Sequence, residues 1–284
     1  MNTPLVSVIL PVYNAEKTLG AAIRSIAGQT LPDWELIIVN DGSIDNSLTI
    51  AQSFDDPRIR IVTDSHSKKL AARLNQAVSL CRGDYIARMD ADDISYPDRL
   101  KTQVDFLQNN PQIDLVGSRV LIFSDDGEIV GTYPYKRTHE EICSRPWSGF
   151  YFPHPTWMGR REWFIQNPYN ASSNKAQDQE LLLRSFERSR FACLPEILLG
   201  YRKNELSIRV IVQGRYHFSR MLLRKAISAR RFFWALGLLE QVAKFFVEVF
   251  AVGTGLNYYI LRHRALPISM QESLKWSKVW QSCK

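Results

Sequence analysis

Three carboxylates stand within four positions at Asp90, Asp92 and Asp93, directly after the mostly apolar run 85–89. The run predicts a buried strand, so the acids follow a strand's carboxyl end, where open α/β sheets bind their ligands. Carboxylates packed this closely repel one another and stay ionised most readily when a cation lies between them. Hard oxygen ligands suit Mg²⁺ or Mn²⁺, and such ions usually complete their shell with substrate phosphates. Taken alone, the cluster has a second explanation, a solvated acidic turn.

The segments before this cluster alternate between strand and helix patterns at short intervals. Apolar, β-branched runs predict strands at 5–11, 34–39, 59–62 and 85–89, and helical patterns lie between them at 16–27, 45–54 and 70–80. This alternation indicates βαβ units, an α/β fold class and a mostly parallel sheet flanked by helices. Because crossovers in such units are right-handed, the loops after successive strands meet at one edge of the sheet. We therefore expect Asn14, Asp41 and Asp90 to line one crevice.

Two acidic positions in this frame have a purely local alternative. Asn40-Asp41-Gly42 favours a hairpin turn, although the sequence after it is helical rather than extended. Asp178 precedes the apolar helical stretch Leu181–Phe186, where a carboxylate is favoured by the helix dipole and can act as an N-cap. After the acidic cluster, the sequence predicts a helix at 96–108, strands at 113–123 and 128–133, and loop-rich structure at 134–160.

The charge is unevenly distributed along the 284 residues. Residues 201–284 contain 15 Lys and Arg against 4 Asp and Glu, whereas residues 1–200 contain 21 against 25. This tail predicts helices over 215–261, with an apolar stripe and an i,i+4 charged ladder on another face. The stripe is Phe232, Leu236, Leu239, Ala243, Phe246 and Phe250, and the ladder is Glu240, Lys244 and Glu248. Basic residues flank the stripe at Arg215, Arg220, Arg224, Lys225, Arg230, Arg231, Arg262 and Arg264.

Two explanations fit the tail, packing onto the preceding domain or lying at an anionic membrane surface. The uncharged stretch Val249–Leu261 is too short to span a bilayer. Phenylalanines between the basic clusters fit lipid better than nucleic acid, so we expect no nucleic-acid partner. Four scattered cysteines and an N-terminus without a signal-peptide pattern indicate a cytoplasmic protein. We therefore expect peripheral attachment to the inner face of the cell membrane.

Seven segments occur in an order that carries a family resemblance. They are V-S-V-I-L-P-V-Y-N at 6–14, Q-T at 29–30, W-E-L-I-I-V-N-D-G-S at 34–43, L-N at 74–75, G-D-Y-I-A-R-M-D-A-D-D at 83–93, P-D-R-L at 97–100 and Q-D-Q-E-L-L-L-R at 177–184. Over residues 5–205 the chain resembles the family 2 glycosyltransferases, which have a Rossmann-like GT-A fold. The resemblance implies a catalytic domain at 1–205, with a nucleotide-sugar half at 1–93 and an acceptor half at 94–205. The basic amphipathic helical tail then occupies 206–284.

The resemblance also implies an activity and a set of binding residues. Members move a sugar from a nucleotide diphosphate-sugar to a glycan or lipid-linked acceptor, here in surface polysaccharide biosynthesis and with a UDP-sugar favoured. Asp92 is implied as the main ligand of a Mn²⁺ or Mg²⁺ ion on the diphosphate, with Asp93 behind it. Lys69 is implied near the pyrophosphate or nucleoside, and a solvated lysine is the alternative. The remaining nucleotide-sugar residues implied are Pro11, Tyr13, Asn14, Asp41, Asp90 and Ala91.

On the acceptor side, the resemblance implies Asp178 as general base and His154 near the acceptor. Gln177 stands where the family more often has Glu, which leaves the orienting contact of that Glu unassigned, and a packed loop histidine is the alternative for His154. One base without a separate nucleophile implies inversion of the anomeric centre. A second enzyme class, the sugar-phosphate nucleotidyltransferases, requires a Gly-rich phosphate loop after the first strand. The segment that begins at Pro11 contains no such loop. A membrane-associated inactive scaffold is the remaining alternative, against which the joint presence of the site carboxylates argues.

Overall fold

The computed structural model describes residues 3–64, 66–172, 175–202, 208–229, 233–254 and 265–284. Arg230, Arg231, Phe232, Arg262 and Arg264 of the predicted tail pattern lie outside the described residues, as do positions 255–261 of its predicted helices and the side chain of Leu236. The strands are β1 Val6–Val12, β2 Trp34–Asn40, β3 Ile59–Thr63, β4 Tyr85–Arg88, β5 Ile94–Ser95, β6 Leu115–Phe123, β7 Ile129–Thr132, β8 Met158–Arg160 and β9 Phe191–Arg202. The helices are α1 Leu19–Ala27, α2 Ser47–Gln52, α3 Lys69–Leu80, α4 Arg99–Asn109, α5 His139–Ile142, α6 Arg161–Gln166, α7 Gln177–Ser185, α8 Ile208–Ala229, α9 Phe233–Gly253 and α10 Met270–Cys283.

The strands form one sheet in the order β3-β2-β1-β4-β8-β6-β9-β5, with β7 paired to β6. β3, β2, β1 and β4 are mutually parallel, which confirms the predicted α/β architecture of the first half. Every residue of β1 and β2 is buried, as expected for parallel strands covered by helices on both faces. Beyond β4 the sheet becomes mixed, because β8 runs antiparallel to both β4 and β6 while β9 runs parallel to β6.

Two short motifs of the family pattern form hydrogen bonds to segments that are distant in the sequence. Gln29 donates to the carbonyl of Tyr96 at 2.8 Å and accepts from the backbone N–H of Leu100 at 3.0 Å. Asn75 on α3 exchanges two hydrogen bonds with the backbone of Tyr169, at 2.7 and 2.8 Å. Because both side chains satisfy backbone groups of distant segments, they position the site rather than line it.

The last helix, α10, packs into the body of the protein. Ser269 and Glu272 form a capping box at its start, which satisfies backbone donors of the first turn. Trp276 is 1% exposed, its ring centroid lies 4.6 Å from that of Phe123, and its indole N–H donates to the carbonyl of Gly127 at 2.9 Å. The predicted division at residue 205 stays a prediction, and the part of the tail in α10 contributes to the core.

The other tail helices, α8 and α9, pack against each other, and α9 turns its polar side inward. Gln241 donates to the carbonyl of Trp147 at 3.0 Å, and Lys244 donates to that of Ser148 at 3.0 Å. Glu240 and Lys244 of the charged ladder therefore face the body and Glu248 pairs with Arg215 of α8, while the described stripe residues Leu239, Ala243, Phe246 and Phe250 are exposed. Within the described ranges, no helix has both the length and the apolar character that crossing a bilayer requires.

Candidate active site

The acidic cluster follows β4 as predicted, and its three side chains converge. Asp90, Asp92 and Asp93 each offer a carboxylate oxygen, and these oxygens lie within 4.8 Å of one another. Asp93 is buried, and one of its oxygens accepts from the backbone N–H of Arg202 at 3.1 Å. Its other oxygen, Oδ2, is buried without a hydrogen-bond partner. Burial and the neighbouring negative charges of Asp90 and Asp92 raise the pKa of Asp93 well above its usual range.

A buried arginine, which sequence reasoning missed, holds one member of this cluster. Arg88 donates from Nη1 to Asp90 Oδ2 at 2.6 Å, and its Nη2 contacts Asp90 Oδ1. Side chains two apart along a strand point to the same side, so the spacing of these residues is the signal that could have revealed the pair. Arg99 lies behind it and donates to the carbonyl of Arg88 at 2.6 Å. Burial lowers the pKa of Arg99 to about 9.

A cleft of about 1180 Å³ opens beside the acidic cluster and contains most of the predicted nucleotide-sugar residues. Tyr13 is 58% exposed at its rim and offers a ring face. Asn14 has a left-handed backbone, with φ of +50°, and its side-chain oxygen accepts from the backbone N–H of Ile44 at 3.0 Å. The predicted residues that line this cleft are Pro11, Tyr13, Asn14, Asp90, Ala91 and Asp92.

Asp41 and Lys69 form a supporting network instead of lining this cleft. Asp41 accepts from Arg73 Nε at 2.6 Å and from the backbone N–H groups of Lys68 and Lys69, at 2.6 and 3.1 Å. Burial alone would raise the pKa of Asp41, but these hydrogen bonds outweigh it and lower the pKa below its usual range. The Lys69 side chain is exposed, and the residue has a left-handed backbone with φ of +68°. Direct contact of these residues with a nucleotide stays a prediction.

A second cavity, of about 410 Å³, contains the residues predicted for the acceptor side. Asp90, His154 and Asp178 all line it, so Asp90 borders both spaces. His154 is buried, with Nε2 2.8 Å from the Tyr169 hydroxyl and its ring edge-on to Trp157. Burial lowers the pKa of His154 well below its usual range, so the ring is neutral at pH 7. His154 is therefore a packed histidine that also borders the acceptor-side cavity.

Asp178 lies in the first turn of α7 and does not cap it. The N-cap position belongs to Ala176, which makes no side-chain capping bond. Asp178 Oδ2 accepts from Gln179 Nε2 at 3.2 Å, and Gln179 Oε1 in turn accepts from the backbone N–H of Phe150 at 2.8 Å. Gln179 therefore supplies an orienting contact to the Asp178 carboxylate, although Gln177 replaces the Glu that the family more often has before it. Asp178 has no ion-pair partner among the residues that the structure describes.

Arg202, at the end of β9, borders the larger cleft. Its Nε donates to the carbonyl of Asp92 at 2.9 Å, and its guanidinium lies 4.7 Å from the Phe123 ring centroid. The side chain is 7% exposed and also pairs with the exposed Asp125 at 2.9 Å. It is a salt-bridged structural arginine, and it also places a positive charge beside the acidic cluster.

The match to known proteins agrees with this geometry. Residues 7–167 match the profile described as glycosyl transferase family 2. The chain belongs to this family. The WbnJ O-antigen biosynthesis glycosyltransferase of Escherichia coli is 28% identical over 252 residues, which cover 86% of this chain and 97% of WbnJ. The Escherichia coli UDP-Glc:alpha-D-GlcNAc-diphosphoundecaprenol beta-1,3-glucosyltransferase WfgD is 35% identical over 144 residues, which cover 50% of this chain and 56% of WfgD. The chain thus spans little more than half the length of WfgD.

Solved structures support the fold. Staphylococcal (S. aureus) TarS 1–349 in complex with UDP-GlcNAc superposes with a TM-score of 0.63 at 17% identity, covering 98% of this chain and 81% of the TarS 1–349 chain. The mannosyltransferase PcManGT of Pyrobaculum calidifontis, in complex with GDP-Man and Mn²⁺, gives 0.62 at 15% identity and covers 100% of this chain and 86% of PcManGT. The prediction of a family 2 glycosyltransferase with a GT-A fold is confirmed.

Proposed function

We propose that this chain is an inverting, metal-dependent glycosyltransferase that takes a nucleotide diphosphate-sugar, with a UDP-sugar favoured, and glycosylates a hydroxyl of a glycan or lipid-linked acceptor. The observation that carries the proposal is the position of Asp90, which borders both the larger cleft and the cavity of Asp178. A donor in the cleft would direct its sugar past Asp90 toward Asp178. The names of WfgD and WbnJ support a UDP-sugar donor, a lipid-linked acceptor and surface polysaccharide biosynthesis.

The acidic cluster fits a divalent cation. Three convergent carboxylate oxygens are hard ligands, and the unpartnered Asp93 Oδ2 is a buried acceptor that a nearby cation would stabilise. Asp92 would be the main ligand of the ion, with the buried Asp93 behind it, because Asp90 already faces Arg88. Mn²⁺ or Mg²⁺ bound there would neutralise charge on the departing diphosphate. The Mn²⁺ in the PcManGT complex supports this assignment.

The chain's own residues account for the remaining steps. Tyr13 would stack on the base, and Arg202 would lie close to the diphosphate, where its charge adds to that of the ion. Asp178, oriented by Gln179, would take the proton of the acceptor hydroxyl as that oxygen attacks the anomeric carbon. Attack from the side opposite the leaving diphosphate inverts the anomeric centre.

We also propose that α8 and α9 hold the protein at an anionic membrane surface on the cytoplasmic side. The support is the outward orientation of the apolar stripe, in which Leu239, Phe246 and Phe250 are 69%, 65% and 66% exposed. Exposed apolar patches of this kind mark interaction sites in soluble domains. The basic residues Arg220 and Arg224 on α8 are exposed as well, and such residues attract anionic lipid headgroups.

Thermal unfolding with UDP, GDP, dTDP and CDP, each with and without Mn²⁺, tests the catalytic proposal. A ligand at about a hundred times its dissociation constant stabilises by roughly 2.7 kcal/mol, and a chain of this size gains about 2–4 °C per kcal/mol. We expect a manganese-dependent rise of roughly 5–10 °C with one diphosphate, UDP favoured. Asp92→Asn should abolish this rise, whereas Asp105→Asn, at an exposed carboxylate on α4, should keep it. No rise with any nucleotide would favour the inactive scaffold.

A further inference from the structure

A third cavity, of about 550 Å³, lies between α7 and α8, and most of the charged residues that line it are cationic. We call it the basic cavity. Its charged lining residues are Arg184, Arg220, Arg224, Lys225 and Glu180. The catalytic residues proposed above line the other two cavities, so the proposed transfer reaction gives the basic cavity no role.

The charges of the basic cavity are only partly neutralised from within the protein. Arg184 pairs with Glu180 at 3.3 Å, and Lys225 pairs with Glu187 at 3.3 Å. Arg220 and Arg224 are exposed and have no ion-pair partner among the described residues. A lining with several more cations than anions suits a ligand with multiple negative charges. Guanidinium groups present planar pairs of donors that match phosphate oxygens, so a phosphate or diphosphate is the chemistry that this cavity fits.

Helix α7 separates the basic cavity from the cavity of the proposed base. Asp178 and Gln179 line the acceptor-side cavity, whereas Glu180, Leu183 and Arg184 line the basic cavity. Asp178 and Glu180 are two positions apart, which is about 3 Å of rise and about 200° of rotation, so the two cavities lie on opposite sides of a helix roughly 10–12 Å across. An acceptor long enough to pass from one side of the first turn of α7 to the other can present a hydroxyl to Asp178 and an anionic group to the basic cavity.

Apolar surface adjoins the two unpaired arginines. Arg220, Leu223, Arg224 and Ile227 have the i, i+3, i+4, i+7 spacing that places residues on one face of a helix. Leu223 is 48% exposed and Ile227 is 70% exposed, so this face of α8 alternates between cationic and apolar groups. A ligand that fits such a face carries a charged head joined to a hydrocarbon chain.

We propose that the basic cavity binds the diphosphate of a lipid-linked acceptor, with the start of its hydrocarbon chain against Leu223 and Ile227. The inference rests on the proposed function, since it names the acceptor class of the same reaction. Arg220 and Arg224 are then specificity-determining residues for the acceptor. They bind the diphosphate next to the lipid and leave the sugar hydroxyl to Asp178.

Binding of geranyl diphosphate to the full chain tests this assignment. The titration is done in EDTA and repeated with Asp92→Asn, so that a metal-dependent donor site contributes nothing. We expect Arg220→Ala/Arg224→Ala to raise the Kd at least tenfold. Arg188→Ala should leave the Kd unchanged, because Arg188 is also an exposed arginine but does not line the basic cavity. Inorganic pyrophosphate should compete at least tenfold more weakly, and geraniol should not compete.

Each failure has a distinct meaning. An unchanged Kd in the double arginine variant overturns the site, and equal affinities for pyrophosphate and geranyl diphosphate overturn the lipid assignment. The nucleotide-dependent thermal shift of the double variant should match that of wild type, which verifies its fold and donor cleft. If wild type binds geranyl diphosphate through these arginines and shows no nucleotide shift, the proposed transferase function fails while the diphosphate site stands.

Discussion

At the scale of single residues, the two carboxylates of the acceptor-side cavity have different electrostatic surroundings. Asp90 is held by two nitrogens of Arg88, whereas Asp178 accepts from the neutral amide of Gln179. Both oxygens of Asp90 are therefore engaged by a cation, whereas a general base needs an oxygen that can accept from the acceptor hydroxyl. On this geometry we assign the proton transfer to Asp178 and the donor side of the site to Asp90.

Asp178→Asn should lower kcat by about 10²–10⁴, the usual contribution of general base catalysis. The amide keeps the size of the side chain but cannot accept the hydroxyl proton, so the nucleotide-dependent thermal shift should be unaffected. Steady-state transfer assays, with Asp105→Asn as the surface control, measure this effect. Turnover within a fewfold of wild type would remove Asp178 from the role of base.

Arg73→Met should lower the free energy of unfolding by about 3 kcal/mol, the lower end of the range for a buried ion pair. Arg73 is fully buried and pairs with Asp41, while its second partner, Asp64, is partly exposed to solvent screening. The folded-state pKa of Asp41 is lowered. Its contribution to stability is therefore present above about pH 4 and is lost as the pH falls below that value.

Urea unfolding at pH 7 and at pH 3.5 measures both effects. The wild-type protein should lose more stability between the two pH values than Arg73→Met, because the variant has already lost the ion pair. Equal losses in the two proteins would show that the pair does not set the acid sensitivity.

At the scale of elements, α10 packs onto the body through three buried residues, Trp276, Val279 and Cys283, of which Trp276 is the largest. Trp276→Ala should cost about 3–5 kcal/mol of unfolding free energy, as large-to-small changes of buried aromatic residues do. Leu274→Ala on the same helix is the matched control, because Leu274 is 61% exposed and its removal should change stability by no more than about 0.5 kcal/mol. Denaturant unfolding compares the two. Similar losses of unfolding free energy in both variants would mean that burial of Trp276 does not hold α10 on the body.

At the scale of the whole molecule, the apolar stripe on α9 predicts vesicle binding. The full chain should co-sediment with phosphatidylcholine vesicles containing phosphatidylglycerol and bind pure phosphatidylcholine more weakly, because the basic residues add attraction to anionic lipid. Phe246→Asp/Phe250→Asp should abolish co-sedimentation. Ile165→Asp, at a half-exposed apolar residue of α6, should leave it intact. Equal binding by the two variants would exclude α9 as the anchor.

Point substitutions test membrane attachment better than deletion of the tail, because the deletion also disrupts contacts in the body of the protein. Truncation after residue 210 would remove α10 and uncover Tyr96 and Phe123, which contact Trp276. A loss of membrane binding after truncation could then follow from unfolding alone.

The sequence by itself determined the strands of the first half and the order of the site residues along the chain. β1 and β2 are continuous apolar runs, and a run of that kind is stable only when buried, so local composition locates it. The acidic cluster after β4 and the motifs of the family follow from the same local information.

Other strands and contacts were decided by tertiary structure. β8 has three residues, and β9 contains Pro195, so neither shows a regular strand pattern, and pairing with β4 and β6 stabilises them instead. The arginine partners of the site acids were also set by tertiary structure. Arg73, the partner of Asp41, is distant in the sequence, and only the i,i+2 spacing of Arg88 and Asp90 gives a local signal. Burial of Arg73 and Arg88 depends on the whole sheet and its covering helices.

The tail shows most clearly the difference between what the sequence pattern predicts and what tertiary contacts decide. Its amphipathic pattern identified an apolar stripe and a charged ladder, but not which of them faces the body. Glu240 and Lys244 turn inward because Ser148 and Arg145 offer them partners there. Trp276 is buried because Gly200, which has no side chain, leaves room for its ring. Periodicity specifies that two faces differ, whereas the choice between them is made by partners that only the folded chain brings together.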